Sequence, residues 1–168
     1  MINKIKNSFI LCSVNSCHSL LKASFYVYDC NVSNRSVVQN TPFHFEVLNP
    51  SNKDIHFVAI DNCTIPSNYF RKCDFAVFDD NTFCFVEIKN VDLGQRYNAR
   101  QKAKEQLGET IKLFKERIDM NHLKIEAIIC LKAAKIFPAF PSRSQSASIE
   151  FADNFGALLL EGNSREFS

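Results

Sequence analysis

The sequence lacks the long apolar segment that a membrane-spanning helix requires. No stretch approaches the ~20 apolar residues needed to cross a bilayer, and the apolar run that follows Lys4 and Lys6 is too short for a signal peptide. The net charge is only +2, so the chain has no global basic field of the kind that attracts nucleic acid. We therefore expect a soluble, cytoplasmic protein that does not interact with membranes.

Several well-known site motifs are also missing. The seven cysteines show no CxxC spacing, and their odd number favours reduced thiols over a disulfide framework. Cys12, Cys17 and His18 match no zinc-ligand pattern, so we expect buried or idle thiols there. The sequence has no Ser/His/Asp arrangement and no glycine-rich phosphate loop that could compete with its acidic residues as a candidate site.

The length and the order of predicted elements indicate one mixed α/β domain spanning residues 1–168. A chain of 168 residues can bury a hydrophobic core, and no internal repeat divides it. Strands are predicted at residues 44–48, 54–61 and 124–131, and a long helix at 98–119. Short strands before a single long helix are typical of α/β or α+β architecture. The helix carries an apolar stripe formed by Ala103, Leu107, Ile111, Phe114 and Ile118.

The N-terminal part of the sequence is open to two interpretations. Residues 1–24 allow a short helix that Ser16 would cap and that would run through Lys22. Residues 25–28 could instead start a strand. The polar stretch at residues 29–41 is predicted to form a loop.

The C-terminal part is predicted to be a loop followed by an extra hairpin. Residues 137–148 contain two prolines and several serines, which favours a loop. Residues 148–160 could form a hairpin around the turn-like sequence at 153–156.

The most informative stretch is residues 73–89, CDFAVFDDNTFCFVEIK. Two runs rich in β-branched and aromatic residues flank Asp80-Asn81, which favours a hairpin. If these two residues form the turn, counting outward sets the register. The facing pairs are then Asp79 with Thr82, Val77 with Cys84, and Asp74 with Glu87. Because side chains alternate along a strand, Glu87 and Lys89 share a face, and the hairpin gathers two carboxylates and one ammonium on one patch.

Such a patch suits metal-assisted phosphodiester hydrolysis. Facing carboxylates are hard oxygen ligands for Mg²⁺, and the backbone carbonyl of Ile88 could add another. A nearby lysine can orient the attacking water or stabilise charge in the transition state. The alternative is a surface hairpin in which Asp74, Glu87 and Lys89 only neutralise one another.

Asp74 and Glu87-Ile88-Lys89, on adjacent strands before a helix, resemble the PD-(D/E)XK nuclease superfamily, which includes restriction endonucleases. The family core has the order αβββαβ, with its signature on the second and third strands. The resemblance covers about residues 55–132 and implies a restriction-endonuclease-like core, in which helices flank a central mixed β-sheet. Two departures stand out: Cys73 replaces a frequent proline, and no glutamate stands out in an N-terminal helix.

The resemblance also implies an activity and a site. Asp74 and Glu87 would bind Mg²⁺ or Mn²⁺, and Lys89 would assist the attacking water. Gln106 matches by position a helix residue that relatives use to bind the phosphate or the water. An ordinary solvent-facing glutamine is the alternative for Gln106. The implied protein is a metal-dependent nuclease that cuts DNA rather than RNA.

Basic residues lie between this patch and the first turns of the long helix. Arg96, Arg100 and Lys104 could hold a nucleic-acid backbone, because phosphate contacts come mostly from Lys and Arg. Acidic residues interleave with them, however, and a solvated helix face has the same pattern.

Any further acidic ligand before residue 54 must be Glu46 or Asp29. Glu46 is the stronger candidate because its segment has a regular strand pattern, although a solvent-facing strand position also explains it. We expect Asp61 to begin a turn with Asn62.

Two other functions remain open. The chain could be a nuclease-fold binding or regulatory subunit that no longer cuts, or an unrelated α+β interaction protein with a fortuitous match. The small size and the missing specificity module favour a homodimer or a component of a defence or mobile-element system.

Overall fold

The computed structural model of the protein describes residues 1–30, 32–66, 71–91, 93–132, 136–141 and 145–168. The helices are α1 (Ile2–Ser8), α2 (Ile10–Val14), α3 (Arg96–Arg117) and α4 (Gln145–Phe155), and a 3₁₀ turn at Leu93–Gln95 precedes α3. The strands are β1 (His18–Leu21), β2 (Phe25–Cys30), β3 (Arg35–Val38), β4 (Phe45–Leu48), β5 (Ile55–Ala59), β6 (Phe75–Phe78), β7 (Thr82–Lys89), β8 (Lys124–Leu131), β9 (Phe140–Pro141), β10 (Leu158–Glu161) and β11 (Ser164–Glu166).

A seven-stranded mixed sheet forms the centre of the fold. Its strand order is β1-β5-β6-β7-β8-β10-β9. β5, β6 and β7 are antiparallel neighbours, whereas β7, β8 and β10 run parallel. The protein is therefore a mixed α/β structure whose mixed sheet is flanked by helices, as the order of predicted elements indicated.

The two faces of this sheet are covered differently. On one face α3 packs against β7 and β8, and the ring of Phe114 contacts the rings of Phe83 and Phe85. On the other face lies a second sheet with the order β11-β4-β2-β3, where Phe45 packs edge-on against Phe75. The central strands are buried on both sides, which explains their nearly continuous apolar sequence.

The predicted hairpin is confirmed together with its register. β6 and β7 pair antiparallel, with Val77 opposite Cys84. The turn is fixed by Asp79, whose Oδ1 accepts hydrogen bonds from the backbone N–H groups of Asn81 (2.9 Å) and Thr82 (2.7 Å). The carboxylate of an aspartate at this position accepts hydrogen bonds from N–H groups that a tight turn leaves without backbone partners.

The predicted long helix and the strand after it are also confirmed. All five residues of the predicted apolar stripe are buried, four of them on α3 and Ile118 directly after it. β8 pairs parallel with β7 along its whole length, so β7, α3 and β8 form one crossover unit.

The N-terminal segment differs from the prediction. Ser16 does not cap a helix: it has a positive φ of 52°, and His18–Leu21 is an edge strand paired with β5. The alternative strand at residues 25–28 is correct. The loop predicted at 29–41 is interrupted by β3, which pairs with β2.

The hairpin predicted at residues 148–160 is wrong. Residues 145–155 form the helix α4 and not a strand. The strand that follows, β10, pairs parallel with β8. The turn-like sequence at 153–156 is the end of a helix: Gly156 has a φ of 58°, and its N–H bonds to the carbonyl of Ala152. Glycine in this left-handed conformation commonly terminates helices. The 137–148 segment is likewise not only a loop, because it contains β9 and the start of α4.

The expectation that every cysteine is reduced is also wrong. Cys17 and Cys63 form a disulfide across a sequence separation of 46. This bond ties the start of β1 to the turn after β5. Cys17 is therefore not a free thiol of the kind that binds metal.

In the part of the chain that the structure describes, every helix is too short or too polar to traverse a bilayer.

Candidate active site

The predicted site residues meet where β7 ends and β6 begins. Asp74 directly precedes β6, and its carboxylate Oδ2 accepts a hydrogen bond from the backbone N–H of Ile88 at 2.6 Å. The continuing register places Asp74 opposite Glu87, as the sequence predicted. The backbone carbonyl of Asp74 also accepts N–H groups from Ile60 and Asp61, which fixes the entry to the strand.

Lys89 connects the hairpin to the helix. Its Nζ lies 2.5 Å from Glu87 Oε1 and 2.5 Å from Gln106 Oε1. The amide nitrogen of Gln106 donates in turn to the backbone carbonyl of Lys72 at 2.9 Å. Gln106 is therefore a part of this cluster and not an ordinary solvent-facing glutamine, and both ends of its amide are used to position other groups.

One contact that holds the cluster together was not predicted from the sequence. Thr110 is buried, and its hydroxyl accepts a hydrogen bond from the backbone N–H of Cys73 at 2.8 Å. The hydroxyl donates to the carbonyl of Gln106, one helical turn earlier. A threonine four residues after Gln106 was the available signal, because positions i and i+4 share a helix face.

Both carboxyl groups are strongly desolvated. Only 1% of the surface of Glu87 and 9% of that of Asp74 is exposed. Burial, followed by the charge of Asp29, raises the pKa of Asp74 to about 7. Burial, followed by the charge of Asp74, raises the pKa of Glu87 well above its usual range, although Lys89 opposes this shift.

The donor set fits a divalent cation. Glu87 Oε2 is buried and has no hydrogen-bond partner among the described residues. The carbonyl of Lys89 accepts from Lys132 on the β8 side, and successive carbonyls of a strand point to opposite sides. The Ile88 carbonyl therefore points to the β6 side of the strand. Oxygen donors of these kinds are the ligands that Mg²⁺ and Mn²⁺ prefer.

Within the described ranges, no group of three or more His, Cys, Asp or Glu side chains is placed to hold a metal ion. Asp74 and Glu87 are thus a pair, and the Ile88 carbonyl would be the third donor from the chain.

Two further acids act on this pair, and Glu46 is not one of them. The charges of Asp29, at the end of β2, and of Asp61 both raise the pKa of Asp74. The structure therefore favours Asp29 over Glu46 as the acid that approaches from the N-terminal part. Asp61 does begin the predicted turn, in which Asn62 has a φ of 54°, but its Oδ1 also lies 3.0 Å from Nζ of Lys72, beside the site.

The three basic residues predicted to contact nucleic acid have different surroundings. Arg100 forms a double ion pair with Glu161, through Nε–Oε2 (2.8 Å) and Nη2–Oε1 (2.7 Å). The Nε atom of Arg96 is buried and has no hydrogen-bond partner among the described residues. Lys104 is half-buried on α3, on a groove that faces α4. Within the described parts of the chain, Arg96 and Lys104 thus have no acidic partner comparable with that of Arg100.

No family model, no curated protein and no solved structure matches this chain. The function must therefore be argued from the geometry of the site.

Proposed function

We propose that the protein is a metal-dependent nuclease of the PD-(D/E)XK type that hydrolyses phosphodiester bonds. The observation that carries this proposal is the junction of Asp74, Glu87, Lys89 and Gln106 at one end of the hairpin. One carboxylate oxygen of Glu87 has no partner there among the residues that the structure describes. The order β5, β6, β7, α3, β8, with Asp74 directly before the second of these strands and Glu87 on the third, supports the same assignment.

Asp74, Glu87 and the Ile88 carbonyl would hold the metal ion, Mg²⁺ or Mn²⁺. When bound, the ion lowers the pKa of a coordinated water and screens charge that develops on the phosphate. The raised pKa values of the two acids fit this role, because a buried carboxylate pair without a cation holds protons that a cation would displace.

Lys89 would act on the attacking water and on the phosphate. Its side chain is 20% exposed, so the ammonium lies at the boundary between the buried acids and solvent. Gln106 holds this ammonium from the helix side, and Lys72 holds Gln106 through its backbone carbonyl. A fixed cation at this position can stabilise transition-state charge at little cost in reorganisation.

The proposed substrate is DNA, following the resemblance, and the proposed assembly is a homodimer or a component of a defence or mobile-element system. The site itself recognises a phosphodiester.

The test is calorimetric titration with Mn²⁺ at pH 8, where Asp74 is ionised. The double variant Asp74→Asn, Glu87→Gln removes both charges and keeps an oxygen acceptor for the Ile88 N–H. A matched control, Glu150→Gln with Asp153→Asn, removes two charges from the exposed side of α4. We expect the wild type and the control to bind Mn²⁺ and the site variant to bind at least tenfold more weakly.

Cleavage is then assayed on labelled single-stranded DNA, double-stranded DNA and RNA. Metal binding with cleavage that disappears in the site variant supports the nuclease. Metal binding without cleavage of any substrate favours the nuclease-fold binding or regulatory subunit. Equal Mn²⁺ affinity in the site variant and the wild type contradicts the proposed metal site.

A further inference from the structure

A pocket lies near the candidate active site. A pocket of about 330 Å³ opens at the carboxyl ends of the parallel strands β8 and β10 and at the first turns of α3. Such crevices outside the carboxyl ends of parallel strands commonly bind ligands. The lining residues with relevant chemistry are Arg96, Arg100, Leu131, Phe137, Phe140 and Glu161.

Among the described residues, the pocket carries one cation without an acidic partner. The charge of Arg100 is compensated by its double ion pair with Glu161. Arg96 has no such partner in the described structure, and its Nε is a buried N–H donor that no acceptor satisfies. A buried donor without an acceptor is unfavourable, so an anionic acceptor is favoured here. The first turn of α3 contains no acidic residue that would oppose one.

Two aromatic rings stand at the same opening. Phe137 is 48% exposed and Phe140 is 40% exposed, although their backbone is well fixed. The N–H of Phe137 bonds to the side chain of Asn163, and its carbonyl accepts the N–H groups of Asn163 and Ser164. The rings are thus presented on a rigid support, and removing a ring would not remove these hydrogen bonds.

Gly162 makes that support possible. A Cβ at this position would lie 2.6 Å from the Cα of Ala139, closer than real Cβ atoms approach. The segment carrying both phenylalanines can therefore lie directly against the end of β10. Any other residue at 162 would displace it.

The pocket begins one strand away from Lys89. Leu131 lines the pocket and is the register partner of Lys89 in the parallel pair β7–β8. Neighbouring strands are about 4.8 Å apart. A chain of linked phosphates could therefore reach both places.

We propose that this pocket binds one nucleotide unit, with Arg96 on its phosphate and Phe137 and Phe140 against its base. Guanidinium groups recognise phosphate through charge-assisted hydrogen bonds, and bases stack favourably on aromatic side chains. The proposal rests on the proposed nuclease function only for the source of the nucleotide, which would be the substrate strand next to the scissile phosphate. A free mononucleotide offers the same chemistry.

The experiment measures binding without metal, in EDTA, so that cleavage cannot occur. Deoxyadenosine monophosphate, a six-residue single-stranded deoxyadenosine oligonucleotide and inorganic phosphate are each titrated into the full chain and followed by amide chemical shifts. The variants are Arg96→Ala, Arg96→Lys and Phe137→Leu, with Lys102→Ala as a control that removes a cation from an exposed position of the same helix.

We expect Arg96→Ala and Phe137→Leu each to weaken oligonucleotide binding at least tenfold, Arg96→Lys to weaken it less than Arg96→Ala, and Lys102→Ala to change it less than twofold. Equal affinity for mononucleotide and oligonucleotide identifies a free nucleotide as the ligand, and preference for the oligonucleotide identifies a strand. Either result supports the pocket. Inorganic phosphate binding as tightly as the oligonucleotide, or an unchanged affinity in both Arg96→Ala and Phe137→Leu, overturns it.

The two proposals can fail separately. The variant Asp74→Asn, Glu87→Gln leaves every pocket residue intact, so it should bind the oligonucleotide as the wild type does. Binding that depends on Arg96 and Phe137, in a protein that never cleaves, keeps the nucleotide pocket and removes the nuclease. Cleavage that is unaffected by both substitutions keeps the nuclease and removes the pocket.

Discussion

At the scale of single residues, Asp74 links the site to the stability of the fold. Its folded-state pKa of about 7 lies above its ordinary value of 3.8. Between these pH values the folded protein keeps a proton that the unfolded chain has released, so this contribution to stability is lost as the pH rises. At about 1.4 kcal/mol per pKa unit, the full effect is at most about 4 kcal/mol.

The histidines act in the opposite direction and must be separated from Asp74. Burial lowers the pKa values of His18 and His44 to about 4, so their contributions increase with pH. We therefore predict that the free energy of unfolding of Asp74→Asn increases relative to that of the wild type as the pH rises from 5 to 8. Urea unfolding in EDTA at four pH values measures this difference, and a difference that does not vary with pH contradicts a buried acid at position 74.

Replacing Lys89 should slow cleavage without weakening metal binding. Lys89→Met keeps the apolar stem but removes the ammonium that contacts Glu87 and Gln106. We expect cleavage to fall about 100-fold or more, in the range seen when one transition-state donor is removed. Mn²⁺ affinity should be unchanged or tighter, because a competing cation has left Glu87.

The matched control is Lys102→Met, which removes the same charge from an exposed position on α3. Cleavage rates and Mn²⁺ calorimetry on both variants give the answer. Loss of metal binding in Lys89→Met would show that Lys89 holds the carboxylates in place and has no direct part in the reaction.

At the scale of elements, the packing of α3 against α4 depends on Gly108. A Cβ at position 108 would lie 2.4 Å from Cζ of Phe155. Alanine would gain about 1 kcal/mol in helix propensity, but displacing the ring should cost about 1–3 kcal/mol. We expect Gly108→Ala to destabilise the protein in urea unfolding.

A double-mutant cycle with Phe155→Ala tests the cause of that loss. In the Phe155→Ala background the clash is gone, so Gly108→Ala should become neutral or stabilising. A Gly108→Ala cost that persists without the ring would mean that α4 does not pack on α3 as described.

The elements that were predictable are those whose determinants are local. The β6–β7 hairpin follows from alternating apolar residues and a two-residue turn, and its register then places Asp74 opposite Glu87. α4 was not predictable, because the residues around Gly156 are equally compatible with the end of a helix and with the turn of a hairpin. Only packing on α3 decides between the two.

The same distinction applies to the site. Asp74, Glu87, Lys89 and Gln106 follow from local spacing and from the family resemblance. Asp29 belongs to the smaller sheet, and sequence spacing does not reveal that its charge acts on Asp74. Its influence on Asp74 therefore becomes visible only in the folded molecule.

At the scale of the whole molecule, the Cys17–Cys63 disulfide joins two segments that are 46 residues apart. Closing a loop of this length in the unfolded chain should stabilise the fold by about 4 kcal/mol in the chain-entropy model. We predict that replacing Cys17 and Cys63 by serine lowers the free energy of unfolding by about this amount. Cys30→Ser is the control, because Cys30 is a half-buried free thiol.

The number of free cysteine thiols tests whether the Cys17–Cys63 disulfide is present. Alkylation of the unfolded chain without reductant should label five cysteines, and labelling after reduction should reach seven. Labelling of all seven without reductant would contradict the disulfide. The bond closes on the turn that carries Asp61, whose carboxylate pairs with Lys72 next to Asp74. For that reason the double variant Cys17→Ser, Cys63→Ser should lose Mn²⁺ affinity along with stability, whereas Cys30→Ser should lose neither.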